Sequence, residues 1–99
     1  MKKISDHITY KEAVHSNTAL RLNIKNIPNN KDVSNNAEMF SYIKTNLNFD
    51  QLIWEFGDST NPNWIHVSYV SDDLNRNKIL IAEKINGRTS YRSYEQETL

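Results

Sequence analysis

Trp64, His66 and Ser68 alternate with Ile65, Val67 and Tyr69 in the segment NWIHVSY. In an extended strand, successive side chains point to opposite faces. The alternation therefore predicts a core face of Ile65, Val67 and Tyr69, and a second face carrying an indole, an imidazole and a hydroxyl. Such a set is an odd finish for a core and a common lining for a pocket. His66 has three readings: a metal ligand, a hydrogen-bond donor to a bound molecule, or a satisfied core histidine. Zinc requires three or four ligands. The other histidines, His7 and His15, lie near the amino terminus and are not spaced as a one-turn helical pair, so metal binding is the weakest of the three.

Further candidates surround this segment. Trp54 and Glu55 fall in the preceding apolar run, and Trp54 and Trp64 suit either sheet-face packing or a stacking platform for a flat ring. Glu55 among apolar neighbours suits pairing with Arg21 or accepting from a nucleobase edge; its bland alternative is a solvent-facing strand residue. Helical spacing would put Asn17 and Arg21 on one face, four residues apart. An arginine fork there suits a carboxylate or phosphate, against the alternative of an ordinary surface residue. Arg88 and Arg92 share one face of the last strand. They read as a second anion contact or as charges guarding an edge strand. No Gly-rich phosphate loop, Ser-His-Asp set or Cys-His pair is present.

These residues need elements to position them. Thr9 and Glu12 have capping-box spacing, predicting a short helix to about Val14. A second short helix is expected from Thr18 to about Asn23, ended by Pro28. Val33, Ala37, Phe40, Ile43 and Leu47 step by four, three, three and four, predicting a longer helix over 33–47. Strands are expected near 49–56, 64–70, 77–85 and 88–94. The polar loop GDSTNPN joins the first two, and Asn86-Gly87 marks a type I′ hairpin turn between the last two. The fold class is thus α+β: short N-terminal helices plus one longer helix packed on a four-stranded, mostly antiparallel sheet, in a single domain over 1–99. The fourteen asparagines are read as genome composition rather than function.

FDQLIWEFG followed by PNWIHVSY resembles the carboxy-terminal part of the M15 family of zinc peptidases, the D-Ala-D-Ala carboxypeptidases and phage endolysins that cut peptidoglycan peptides. Residues 4–29, 38–50 and 78–91 are similar to other parts of that family, so the resemblance covers most of the chain. It implies that His66 corresponds to the last zinc ligand. The family's Ser-x-His-x-x-Gly-x-Ala-x-Asp segment, which supplies the other two ligands, is missing between Pro28 and the longer helix. The family's general base lies three positions before the final histidine, where this chain has Asn63. The resemblance therefore implies a scaffold of this kind without its peptidase activity.

Net charge is zero, with 12 basic and 12 acidic residues, so no global attraction to a nucleic-acid polymer or a membrane is expected. There are no cysteines, which excludes disulfides and thiolate metal sites and fits a reducing cytoplasm. The start MKKISDHITY lacks the apolar run of a secretion signal. A core drawn from 37% hydrophobic residues is thin, which favours a homo-oligomer. The reading is a non-catalytic protein without a cofactor, binding a small anionic or nucleotide-like ligand. Its use would be that of a phage protein sequestering a nucleotide immune signal of the cyclic nucleotide or ADP-ribose type. The expected contacts are Tyr10, Asn17, Arg21, Trp54, Glu55, Trp64, His66, Ser68 and Tyr69. The alternatives are a residual zinc-dependent peptidase, with ligands from a neighbouring subunit, and a protein-interaction module.

Overall fold

The computed structural model describes residues 19–26 and 33–94. Five strands form one sheet: β1 (Ala19–Leu22), β2 (Gln51–Glu55), β3 (Trp64–Ser68), β4 (Lys78–Ile85) and β5 (Arg88–Ser93), in the order β1-β3-β2-β4-β5. A single α-helix among the described residues, α1 (Asn36–Asn46), packs on one face of the sheet. The fold is α+β, but the sheet differs from the four-stranded expectation in two ways.

First, Ala19–Leu22 is a strand rather than a second helix. It pairs antiparallel with β3, placing Arg21 opposite His66 and Leu22 opposite Ile65. Helical spacing in SNTALRLNI is overridden because Leu22 is buried at the sheet edge only when the segment is extended. The expected earlier helix over 9–14 lies outside the described residues.

Second, the sheet is mixed. β2 pairs antiparallel with β3 but parallel with β4, Leu52 facing Ile79 and Glu55 facing Ala82. Parallel neighbours need a return path, and here β3 itself is that path, lying on the far side of β2. The loop from β3 to β4 then only has to pass the start of β2, and Asp50 pins it there. Its carboxylate accepts from Arg76 Nε at 2.9 Å, Arg76 Nη2 at 2.8 Å and the Arg76 backbone N–H at 3.1 Å. These hydrogen bonds, led by those from the guanidinium, hold the Asp50 carboxyl below its usual range.

The core lies between α1 and the helix-side face. Phe40, Ile43, Leu52, Ile65 and Val67 have no exposed surface. The helix stripe is rotated from expectation: Met39 and Asn36 are buried with Phe40 and Ile43, whereas Ala37 is half-buried. Phe40 and Ile43 are thus fully enclosed. Asn35 caps α1, its side chain accepting from Glu38 N–H at 2.8 Å, and Glu38 reaches back to the Ser34 backbone N–H at 2.9 Å. At the β4–β5 turn, Asn86 and Gly87 have φ of 52° and 79°, the left-handed pair of a type I′ turn, as the sequence predicts.

Several asparagines have structural work, which corrects their reading as composition alone. Buried Asn36 donates to the carbonyls of Pro62 and Asn63 at 3.0 and 3.1 Å and accepts from Ile24 N–H at 2.7 Å. Asn61 accepts from Ala37 N–H at 2.8 Å. Together they tie the start of α1 to the β2–β3 loop.

Candidate functional site

The face of the sheet away from α1 carries the candidate chemistry. Pairing sets its rows: Arg21 beside His66 beside Ile53, and Trp64 beside Glu55 beside Ala82. Sequence alternation in β3 is met, since Ile65 and Val67 are fully buried against the helix while Trp64, His66 and Ser68 lie half-buried on the opposite face.

Arg21 crosses from β1 so that its guanidinium carbon lies 4.6 Å from the centre of the Trp64 ring. This is a cation–π contact, which holds a charge in place without consuming its hydrogen bonds. Glu55 is 8% exposed, and among the described residues no hydrogen bond or ion pair reaches its carboxylate. Burial raises its pKa, and the nearby Arg21 charge offsets this in part. His66 moves the other way: burial lowers its pKa, and Arg21 lowers it further. Near pH 7 His66 is therefore a neutral imidazole with one donor and one acceptor nitrogen. Ser68 Oγ accepts from Gln51 N–H at 3.1 Å, which leaves its O–H able to donate.

Five of the nine expected residues, Arg21, Glu55, Trp64, His66 and Ser68, are thus brought onto one face. Two are not. Trp54 pairs with Ile65 and faces α1, where its ring meets Phe40 edge-on at 5.2 Å and its indole N–H donates to Asp58 O at 3.1 Å. It lines a groove of about 890 Å3 with Ile81, Arg92 and Tyr94, which Phe56, Ala82 and Lys84 also line. Tyr69 packs against the core and its hydroxyl donates to Asp72 Oδ1, so it is not available to stack on the opposite face. Tyr69 lies on the core side that strand alternation predicts for it, and Trp54 faces away from Glu55 for the same reason. Tyr10 and Asn17 lie outside the described residues. Arg88 and Arg92 do share a face of edge strand β5, and Arg92 Nε is spent on Glu83 at 3.0 Å.

The sequence reading missed two residues. Phe56 meets Trp64 edge-on at 5.5 Å, and Lys84 Nζ lies 5.5 Å from the centre of the Phe56 ring. Phe56 has φ of 60°, a left-handed conformation costly for an aromatic residue. Its only sequence signal is the Phe-Gly step at the end of an apolar run. Lys84 depends on the parallel register of β4, which no local pattern reveals.

Among the described residues no group of three or more His, Cys, Asp or Glu side chains could hold a metal ion. The charge acting on His66 is a guanidinium, which opposes a second cation. No described helix is long and apolar enough to cross a membrane. Set against known protein-family models, curated proteins and solved structures, the chain matches none of them.

The opposite shifts give a pH prediction. Folded Glu55 holds its proton more tightly than the unfolded chain does, so stability is lost as pH rises from about 4.5 through its folded pKa. His66 binds its proton less tightly when folded, so stability is lost as pH falls below about 6.5. Glu55→Gln is expected to be more stable than the parent at pH 8 and indistinguishable from it at pH 4. Urea midpoints at the two pH values check this. An equal difference at both would show that Glu55 ionisation carries no cost.

Proposed function

We propose that the chain is a non-catalytic binding protein that holds a small phosphate-bearing or nucleotide-like molecule on the β1–β3–β2 face. The scaffold is a pared-down relative of the M15 peptidases, with the ligand taking the place of the lost catalytic segment. The observation that supports this reading most is the arrangement of Arg21, stacked on Trp64 at 4.6 Å with no ion pair to the neighbouring buried Glu55. An arginine serving only the fold would be expected to satisfy that carboxylate.

Each group then has a task. The outer face of the Arg21 guanidinium, backed by Trp64, offers a plane for a ring, and its N–H groups meet the anionic charge. Glu55 accepts from a donor edge of the ring. His66 and Ser68 supply hydrogen bonds to the remainder. Stacking contributes roughly 1–3 kcal/mol per base, and a hydrogen bond to a charged group about 1.5–3 kcal/mol. One such site yields modest affinity. Two sites joined in a homo-oligomer reach the nanomolar range, about −12 kcal/mol, that sequestration demands. The use we propose is sequestration of a nucleotide immune signal in a phage-infected bacterium, which rests on the peptidase resemblance and the frequency of that family in phages.

Calorimetry against cyclic mono- and dinucleotides, linear nucleotides and ADP-ribose derivatives tests the reading. At least one is expected to bind and to be recovered chemically unchanged after heat denaturation. Arg21→Ala should weaken it by about 2 kcal/mol, roughly thirtyfold. A native mass spectrum of the same sample reports subunit number and metal. One zinc per chain with peptide hydrolysis would replace this reading by the peptidase one, and no binding to any panel member would leave protein interaction as the function.

A further inference from the structure

Four side chains follow the strand order across the open face: Arg21 on β1, Trp64 on β3, Phe56 at the end of β2, and Lys84 on β4. Each contact in the row is a defined one. Arg21 lies 4.6 Å over Trp64, Trp64 meets Phe56 at 5.5 Å, and Lys84 lies 5.5 Å over Phe56. Two cations thus end a row of two rings. Glu55, paired across the sheet with Trp64 and with Ala82, puts one negative charge between them.

The row is built at a conformational cost. Phe56 sits at φ 60°, where glycine or asparagine would be at ease. Its N–H is held by Ala82 O at 2.9 Å, and the preceding Glu55 carbonyl is held by Asn63 N–H at 2.9 Å. The backbone therefore fixes an aromatic residue where none is needed for the core. Strain of this kind is found where a side chain must be presented.

We infer that the ligand is an extended anion of dinucleotide size carrying two phosphate groups, one at Arg21 and one at Lys84, with a donor-bearing base between them at Glu55. This rests on the binding reading above and specifies its ligand. Neighbouring strands lie about 4.8 Å apart, so β1 and β4, with two strands between them, are roughly 14 Å apart. The two cations rest over different rings, Arg21 over Trp64 and Lys84 over Phe56, so each is assigned its own phosphate. The carboxylate between them repels a phosphate and accepts from a base edge. Guanine, with adjacent N1–H and N2–H donors, suits a carboxylate, whereas the single imide N–H of uracil is flanked by carbonyls that the carboxylate repels.

The experiment compares linear pGpG, pUpU and GMP by calorimetry on the full chain, with Lys84→Ala and Glu55→Ala variants whose urea midpoints confirm that they fold. The parent is expected to bind pGpG at least tenfold tighter than GMP and at least tenfold tighter than pUpU. Lys84→Ala should abolish the advantage over GMP, and Glu55→Ala should abolish the preference over pUpU. If GMP and pGpG bind equally and Lys84→Ala alters neither, the two-ended site is overturned while the binding reading stands. If neither they nor any other nucleotide binds, both fall.

Discussion

Asn36→Leu is expected to lower the stability of the fold by about 3–5 kcal/mol, the largest effect expected of a polar substitution among the described residues. The side chain is 4% exposed and makes three hydrogen bonds, all to backbone: two donated to the Pro62 and Asn63 carbonyls and one accepted from Ile24 N–H. Leucine keeps the branched heavy-atom outline of asparagine but pairs with none of these groups. A buried polar group left unsatisfied costs about 1–3 kcal/mol, and partial access of water to Ile24 and Asn63 trims the total. Domains of this size hold about 5–15 kcal/mol in all, so the variant should be close to unfolding. A loss of this size shifts the melting temperature by roughly 12 °C or more. Urea titration followed by tryptophan emission measures it. Asn46→Leu is the control: Asn46 is exposed and bonds only to Tyr42 O within its own helix, so a change within about 0.5 kcal/mol is expected. A loss below about 1 kcal/mol for Asn36→Leu would show that the helix and loop are tied by packing alone.

Gly57→Ala is the second large effect, and it connects the fold to the β1–β3–β2 face. Gly57 has φ of 73°, and a Cβ there would lie 2.2 Å from Asn61 O, 2.8 Å from Pro62 Cα and 3.0 Å from Asn63 N. All three are backbone atoms of the loop that Asn36 and Asn61 hold, so they cannot turn aside as a side chain could. The left-handed conformation alone costs a non-glycine residue about 1–2 kcal/mol, and displacement of the loop should raise the total to about 3 kcal/mol. Gly87 provides the comparison. Its φ is 79° but nothing lies within 4 Å of a Cβ built there, so Gly87→Ala should show the conformational cost only. The difference between the two variants isolates the steric contribution. Because Gly57 adjoins Phe56, and Asn63 adjoins Trp64, Gly57→Ala should also change tryptophan emission and weaken ligand binding, whereas Gly87→Ala should leave both unchanged. Equal losses in the two variants would refute the account of the loop.

Much of the β1–β3–β2 face could be read from the chain because its signals are local. Ile65, Val67 and the intervening Trp64, His66 and Ser68 need only the two-residue period of a strand. Asn86-Gly87 needs only the demand of a type I′ turn for positive φ at both positions. Phe40 and Ile43 need only the helical period, although Asn36 and Met39 show that the stripe's exact azimuth was set by what it packs against. Arg21 and Glu55 share the open face without an ion pair between them, and Arg21 arrives there on a strand hydrogen-bonded to β3 rather than on a helix.

The sequence by itself therefore determined the α+β class, the hairpin turns, the amphipathic helix and the side of β3 on which His66 lies. Each follows from the geometry of a few consecutive residues. Only the tertiary structure decided that Ala19–Leu22 is a strand, that β2 and β4 run parallel, and that Trp54 and Trp64 part to opposite faces. It alone placed Phe56 and Lys84 in line with Trp64 and Arg21, and gave Asn36 its three backbone partners. The physical reason is the same throughout: a register between strands is a choice among distant partners, made by the burial of whole faces at once, and residues such as Leu22 and Asn36 have their structure assigned by partners tens of positions away.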